Sequence, residues 1–190
     1  MAFSDIAAKR RSVYALGKDL PVSTDEDEAL VKRLVELVPD AFNQRSQRAV
    51  LVLGEQHDKL WDAIYDVFDG KVPREKIDMF KSGAGTVLYF TDEDTVANTA
   101  EQQPRYAENF DLWSQHAMGM LQFAVWTGLA ELGIGASLQH YNPVIDDAVR
   151  ELFDIPSSWR LIAEMPFGSI AAPPADKPGE NVSDRFRTVR

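Results

Sequence analysis

The chain has 190 residues, 45 % of them hydrophobic and 26 % charged, which suits one soluble globular domain able to bury roughly 70 % of its unfolded surface. Thirty acidic against twenty basic residues give a net charge of −10, so most of the surface should repel nucleic acid and anionic membranes. There is no cysteine, which excludes disulfides, thiolate metal sites, iron–sulfur clusters and cysteine nucleophiles.

Phe3, Ile6 and Ala7 have helical spacing and predict a short first helix running up to Arg10 and Arg11. The N-terminus has no apolar core followed by a cleavage site, which sets a cytoplasmic location as the expectation. A second helix begins after Ser23, with Glu26 completing a capping box and Asp25 to Glu28 placing negative charge on the first turn. Its apolar stripe is Leu30, Val31, Leu34, Leu37 and Val38, and Pro39 ends it.

Arg48 to Leu53 reads as a buried strand, Lys59 to Phe68 as a helix, Arg74 to Lys81 as a short helix and Thr86 to Thr91 as a second buried strand. Asp92 to Pro104 is polar and unperiodic, the pattern of a loop or a ragged surface helix. From Asp111 to Leu132 one long helix has almost no polar face. A helix apolar all round must be buried all round, which in a chain of this size is easiest against a second subunit. Gln122 and Glu131 interrupt the apolar stretch, so it does not read as a membrane span.

Pro143 to Leu152 predicts a helix with Asn142 as its cap, and Trp159 to Met165 a third strand. The arm of about 171–190 holds Pro173, Pro174 and Pro178 and cannot be regular until a short basic strand at Arg185. No repeat or internal linker appears, so residues 1–190 form a single domain. Strands separated by helices point to an α+β or α/β layered fold.

Four segments carry chemistry. Arg10, Arg11 and Ser12 offer two forked cations and a hydroxyl, and Arg185 and Arg187 would point to one side of an extended segment. Together they could grip a phosphate; the alternative is that they are solvated residues near the chain ends. Asn43, followed by Gln44 and Arg45, could pair with the donor–acceptor edge of a flat ring, or Asn43 could cap its own turn. Gly133-Ile-Gly-Ala-Ser-Leu-Gln-His140 allows a close backbone approach, yet it follows a helix and lacks the dinucleotide fingerprint. His140 is either a proton donor or a core histidine. The three histidines show no metal-ligand spacing, and no serine sits in a nucleophile elbow.

These segments, in this order, resemble the FMN-dependent nitroreductase family. Arg10-Arg11-Ser12-Val-Tyr14, Pro39-x-x-Phe-Asn43 leading into Arg48-Ala-Val-Leu-Val, and Leu132 through Pro143 carry the resemblance from about Phe3 to Arg187. They are most similar to its short-chain branch, which includes fungal fatty-acid-repression-type and bacterial copper-induced proteins. The resemblance implies an α+β sandwich with a small, mainly antiparallel sheet, a homodimer exchanging its C-terminal segments, and FMN between the subunits. It implies cofactor contacts from Arg10, Arg11, Ser12, Asn43, Arg45, Leu138, Gln139, His140, Arg185 and Arg187, with Asn43 reaching the flavin of the other subunit. No side chain need be catalytic and no metal is implied. Where many members carry Ser and Gln, this chain has Asp40 and Arg45, and Gln139-His140 replaces a Glu-Gly pair near the flavin N5.

The activity implied is a ping-pong oxidoreductase that takes hydride from NADH or NADPH and reduces nitroaromatics or quinones. Phe42, Tyr65, Phe68, Tyr106 and Trp113 are candidate walls for that substrate. Two other readings stand beside it: a flavin-binding regulatory or redox-sensing protein with little turnover, and a helical interaction module without cofactor.

Overall fold

The computed structural model describes residues 2–190. Helices α1 (Phe3–Lys9), α2 (Thr24–Leu37), α3 (Gly54–Val67), α4 (Arg74–Lys81), α5 (Glu93–Gln102), α6 (Phe110–Glu131) and α7 (Asp146–Phe153) surround strands β1 (Leu16–Gly17), β2 (Gln47–Leu53), β3 (Gly85–Asp92), β4 (Gly135–Ala136) and β5 (Trp159–Ile170). The strands form one antiparallel sheet in the order β1-β5-β3-β2, with β4 also pairing to β5. β3 and β5 are the spine.

Alternation on β3 builds two cores. Leu88 and Phe90 face Leu60, Trp61 and Ile64 of α3, Ile77 and Phe80 of α4 and Val149 of α7. Val87 and Tyr89 face Val31 of α2 and Met118, Leu121, Val125 and Leu129 of α6. Every residue of β3 is buried, which is why its centre, Val87 to Phe90, runs apolar without a polar face.

The capping box starts α2 as its sequence predicts: Glu26 N–H donates to Ser23 Oγ at 3.3 Å, and Ser23 N–H donates to Glu26 Oε2 at 3.0 Å. Four local expectations change. α3 begins at Gly54, well before Lys59, because His57 belongs to the buried stripe with Leu60, Trp61 and Ile64. His57 Nδ1 lies 2.9 Å from Thr86 Oγ1, which also accepts from Trp61 Nε1 at 3.0 Å. The polar stretch after Asp92 is a regular helix, α5. Asp92 bonds Arg48 Nη2 at 2.6 Å and Thr95 Oγ1 at 2.8 Å at its start. α7 starts at Asp146 without an Asn142 cap, since the Asn142 side chain donates to the Leu161 carbonyl at 3.2 Å. Around Arg185 and Arg187 the chain forms a turn and irregular backbone where a short strand was expected.

The long helix is half-covered. Ala117, Met118, Leu121, Val125 and Leu129 are buried, whereas Leu112, Met120 and Phe123 are 51 %, 44 % and 42 % exposed. Phe3 of α1 packs edge-on to Phe123 with ring centroids 6.3 Å apart and is itself exposed. Val182, Phe186 and Val189 of the arm are exposed as well. Among the described residues no helix is long and apolar enough to cross a membrane.

Candidate functional site

The segment leaving α1 runs beside β4. Ser12 makes a parallel bridge with Ala136, and Val13 N–H donates to the Ala136 carbonyl at 2.9 Å. Glycine is required for this approach: a Cβ on Gly135 would lie 2.9 Å from Val13 Cγ1 and 3.0 Å from Ile170 Cγ1. The pairing brings residues more than a hundred positions apart to one cavity of about 400 Å³, lined by Arg10, Ser12, Gly119, Gln122, Phe123, Trp126 and Leu138. Its floor is the outer face of α6.

Arg10 is half-buried with its guanidinium 4.3 Å from the Trp126 ring centroid. Burial, and then repulsion from Arg11, lowers its pKa. Neither Arg10 nor Arg11 has an ion-pair partner among the described residues, although Arg48, Arg74, Arg150 and Arg160 all hold carboxylates. In a chain this acidic, two adjacent unneutralised cations beside a hydroxyl and a cavity have the donor chemistry of an anion site. Arg11 Nη2 instead donates to the Ala175 carbonyl at 2.7 Å, tying the C-terminal arm to this corner.

Leu138 lines the same cavity, while Gln139 and His140 continue the segment past it. Gln139 exchanges backbone hydrogen bonds with Glu164 of β5 at 2.7 and 3.0 Å, and its side chain donates to Ser137 Oγ at 3.0 Å. His140 is exposed, so the reading as a core histidine fails. His57 is the buried histidine, held neutral by desolvation with its pKa pushed down to about 4.

A second group gathers at the far end of α2. Phe42, Asn43 and Arg45 all have φ near +55°, a conformation costly for side chains of this kind and held here by packing. Phe42 stacks on Trp113 at 5.8 Å with 14° between planes, and also meets Tyr106 and Phe110. Arg45 Nε donates to Asn43 Oδ1 at 3.0 Å. Asn43, Arg45, Asp40, Gln47, Arg48 and Trp159 line a cavity of about 520 Å³. Around it the Gln44 amide, Ser46 Oγ and Gln47 Nε2 are buried with no protein partner. Asp40 is raised by burial, against hydrogen bonds from Ser46, Ala41 and Arg45.

The expected residues therefore fall into separate groups within one chain. Arg10, Ser12 and Leu138 share a cavity, with Arg11, Gln139 and His140 alongside. Asn43 and Arg45 line another. Arg185 pairs with Glu180, and Arg187 is exposed on the arm. Of the candidate aromatic walls, Phe42, Tyr106 and Trp113 come together, whereas Tyr65 and Phe68, at the C-terminal end of α3, are half-buried against the core. Glu164 went unnoticed in the sequence. Its signal was a lone carboxylate in the strand Leu-Ile-Ala-Glu-Met-Pro-Phe, buried on both faces.

The model of the nitroreductase family matches residues 7–169. The chain belongs to the nitroreductase family, a family of flavoprotein oxidoreductases. The nitroreductase FRM2 of Saccharomyces cerevisiae is 33 % identical over 173 residues, covering 88 % of each chain. Nitroreductase CinD from Lactococcus lactis, solved in complex with chloramphenicol, is 39 % identical with a TM-score of 0.94 over the whole of both chains; its complex with 4-nitrophenol gives 38 % and 0.91. An FMN-complexed structure from Exiguobacterium sibiricum shares the fold, with a TM-score of 0.76 over 99 % of this chain and 97 % of that one, at 12 % identity.

Proposed function

We propose that this nitroreductase-family chain is an FMN-dependent NAD(P)H oxidoreductase that reduces nitroaromatic or quinone substrates and works as a homodimer. The observation that carries the reading is the cavity shared by Arg10, Ser12 and Leu138 against the exposed face of α6. Its donor set suits a phosphate monoester with a planar ring: the Arg10 guanidinium without an ion-pair partner and the Ser12 hydroxyl at one end, with Arg11 adjacent, and an apolar wall and extended backbone at the other.

In this reading Arg10, Arg11 and Ser12 hold the phosphate and ribityl chain. The phosphate supplies the countercharge that Arg10 and Arg11 lack in the chain itself. Leu138, Gln139 and His140 lie along the ring. The open space above Gly119, where an added Cβ would meet nothing within 4 Å, leaves room over α6. A second copy brings Asn43, Arg45 and the Phe42–Trp113 stack to the other side, and on the arm Arg185 exchanges Glu180 for the phosphate while Arg187 joins it. The exposed Leu112, Met120 and Phe123 are covered in the same contact. FMN bound there would take hydride from NADH or NADPH and return electrons to the second substrate in a separate half-reaction.

CinD's complexes with chloramphenicol and 4-nitrophenol, both nitroaromatics, support that substrate class. The test is steady-state NADH and NADPH oxidation by the FMN-loaded protein with 4-nitrophenol or a benzoquinone as acceptor. Turnover that requires FMN supports the reading. A flavin-loaded protein without turnover on any of these acceptors would leave it a sensor.

A further inference from the structure

Behind the Leu138–Tyr141 segment lies a titratable group that no part of the proposed reaction uses. Glu164 is fully buried at the middle of β5. Its backbone pairs with Gln139 on one side and Leu88 on the other, so it is fixed in register. Its Oε2 accepts from the Tyr141 backbone N–H at 2.9 Å. Its Oε1 has no partner.

The neighbouring elements hold further buried groups without partners, among them the Tyr141 hydroxyl and Arg150 Nε. Asn142 Oδ1 and Asp146 Oδ1 are also buried without a donor. No ion pair reaches the Glu164 carboxylate among the described residues, so its ionisation would leave a charge buried at 0 % exposure with Oε1 unanswered, against only backbone N–H groups of Tyr141 and Asn142 that favour it. The charged groups around it do not reverse this. Asp146 at the start of α7 repels a carboxylate. Arg150 is engaged with Asp147 at 2.9 Å and Arg160 with Glu93 at 2.7 Å; both are half-buried, and their charges act on Asp146. Tyr141 turns its ring into the Trp61–Phe68–Phe80 cluster, with Lys76 Nζ 5.7 Å from that ring. Burial is the largest cause that pushes Glu164 up to about 8.

We propose that Glu164 is a positioning residue that acts as a neutral carboxylic acid, locking the Gln139–Tyr141 backbone beside the flavin ring and coupling the bound flavin to pH through its ionisation. This rests on the FMN reading above. Protonated Glu164 holds the segment without charge. Its ionisation places a buried negative charge behind the ring, which opposes the arrival of electrons there.

The experiment has a flavin-free arm and a flavin-bound arm. In the wild-type protein without FMN, the Tyr141 amide resonance should titrate near pH 8, and in Glu164→Gln it should be flat. In FMN-loaded protein, spectroelectrochemistry should give matching midpoint potentials for wild type and E164Q well below pH 8. Above pH 8 the wild-type potential should fall more steeply. A Tyr141 amide that does not move in the wild type overturns the proposal without any variant, as do superimposable potential–pH curves. Failure of the protein to take up FMN while Tyr141 titrates as expected overturns the flavin reading and the coupling with it.

Discussion

Arg11 donates through Nη2 to the carbonyl oxygen of Ala175 at 2.7 Å, joining the first basic cluster to the root of the C-terminal arm. The arm thus departs from the corner where Arg10 and Ser12 line their cavity. Arg10 is the better isolated test of phosphate binding, because Arg11 also holds the arm. Arg10→Ala should weaken FMN by ~1.5–3 kcal/mol, the worth of a charge-assisted hydrogen bond, or roughly tenfold to a hundredfold in Kd. Flavin fluorescence titration measures it. Arg11→Ala combined with Arg187→Ala should cost more than either alone.

Gly135 controls the approach of the Ser12 segment to β4. Gly135→Ala sets a methyl group 2.9 Å from Val13 Cγ1 and 3.0 Å from Ile170 Cγ1. The crowding should destabilise the fold by ~1–3 kcal/mol and loosen the Ser12–Ala136 bridge. Urea denaturation reads the first effect. Weaker FMN binding in the folded variant reads the second.

The parts legible in the sequence are those where local chemistry and burial agree. Ser23 and Glu26 announce α2 because the cap is made within four residues, and β3 is plain because both its faces are covered. The parts missed depend on partners distant in sequence. The first turn of α3 is polar, yet His57 is buried against Thr86, twenty-nine residues on. α5 has no apolar stripe and is anchored by Arg48 through Asp92 and Thr95. The sequence singles out Arg10, Ser12 and Leu138 as candidates, but only the Ser12–Ala136 bridge explains why the three share a cavity.

His57 makes stability fall in mild acid. Its pKa is about 4 in the folded protein against 6.5 for the free side chain. Above 6.5 both states are neutral and nothing is lost; below it the unfolded chain takes up a proton that the buried ring refuses. Stability should drop by about 3 kcal/mol between these two pH values. Glu164 and Asp27 have raised values and act in the opposite sense: their contribution is lost as pH rises through their folded pKa. Comparing wild type with His57→Gln by denaturant titration across that window isolates the histidine. A constant difference between the two would refute the assignment.

The outer face of α6 should be an interface. Met120 is 44 % exposed on a helix whose buried side is already filled. Met120→Glu buries a charge in any α6-mediated contact and should convert a dimer to a monomer in sedimentation velocity, without loss of helical circular dichroism. Wild type sedimenting as a monomer would argue against the shared site.

The most direct measurement is equilibrium FMN binding to the purified protein, followed by flavin absorbance after dialysis. One FMN retained per chain, and lost in Arg10→Ala/Arg11→Ala, is the expected result. A protein that stays colourless after reconstitution, or that retains flavin equally well without those two arginines, would contradict the account.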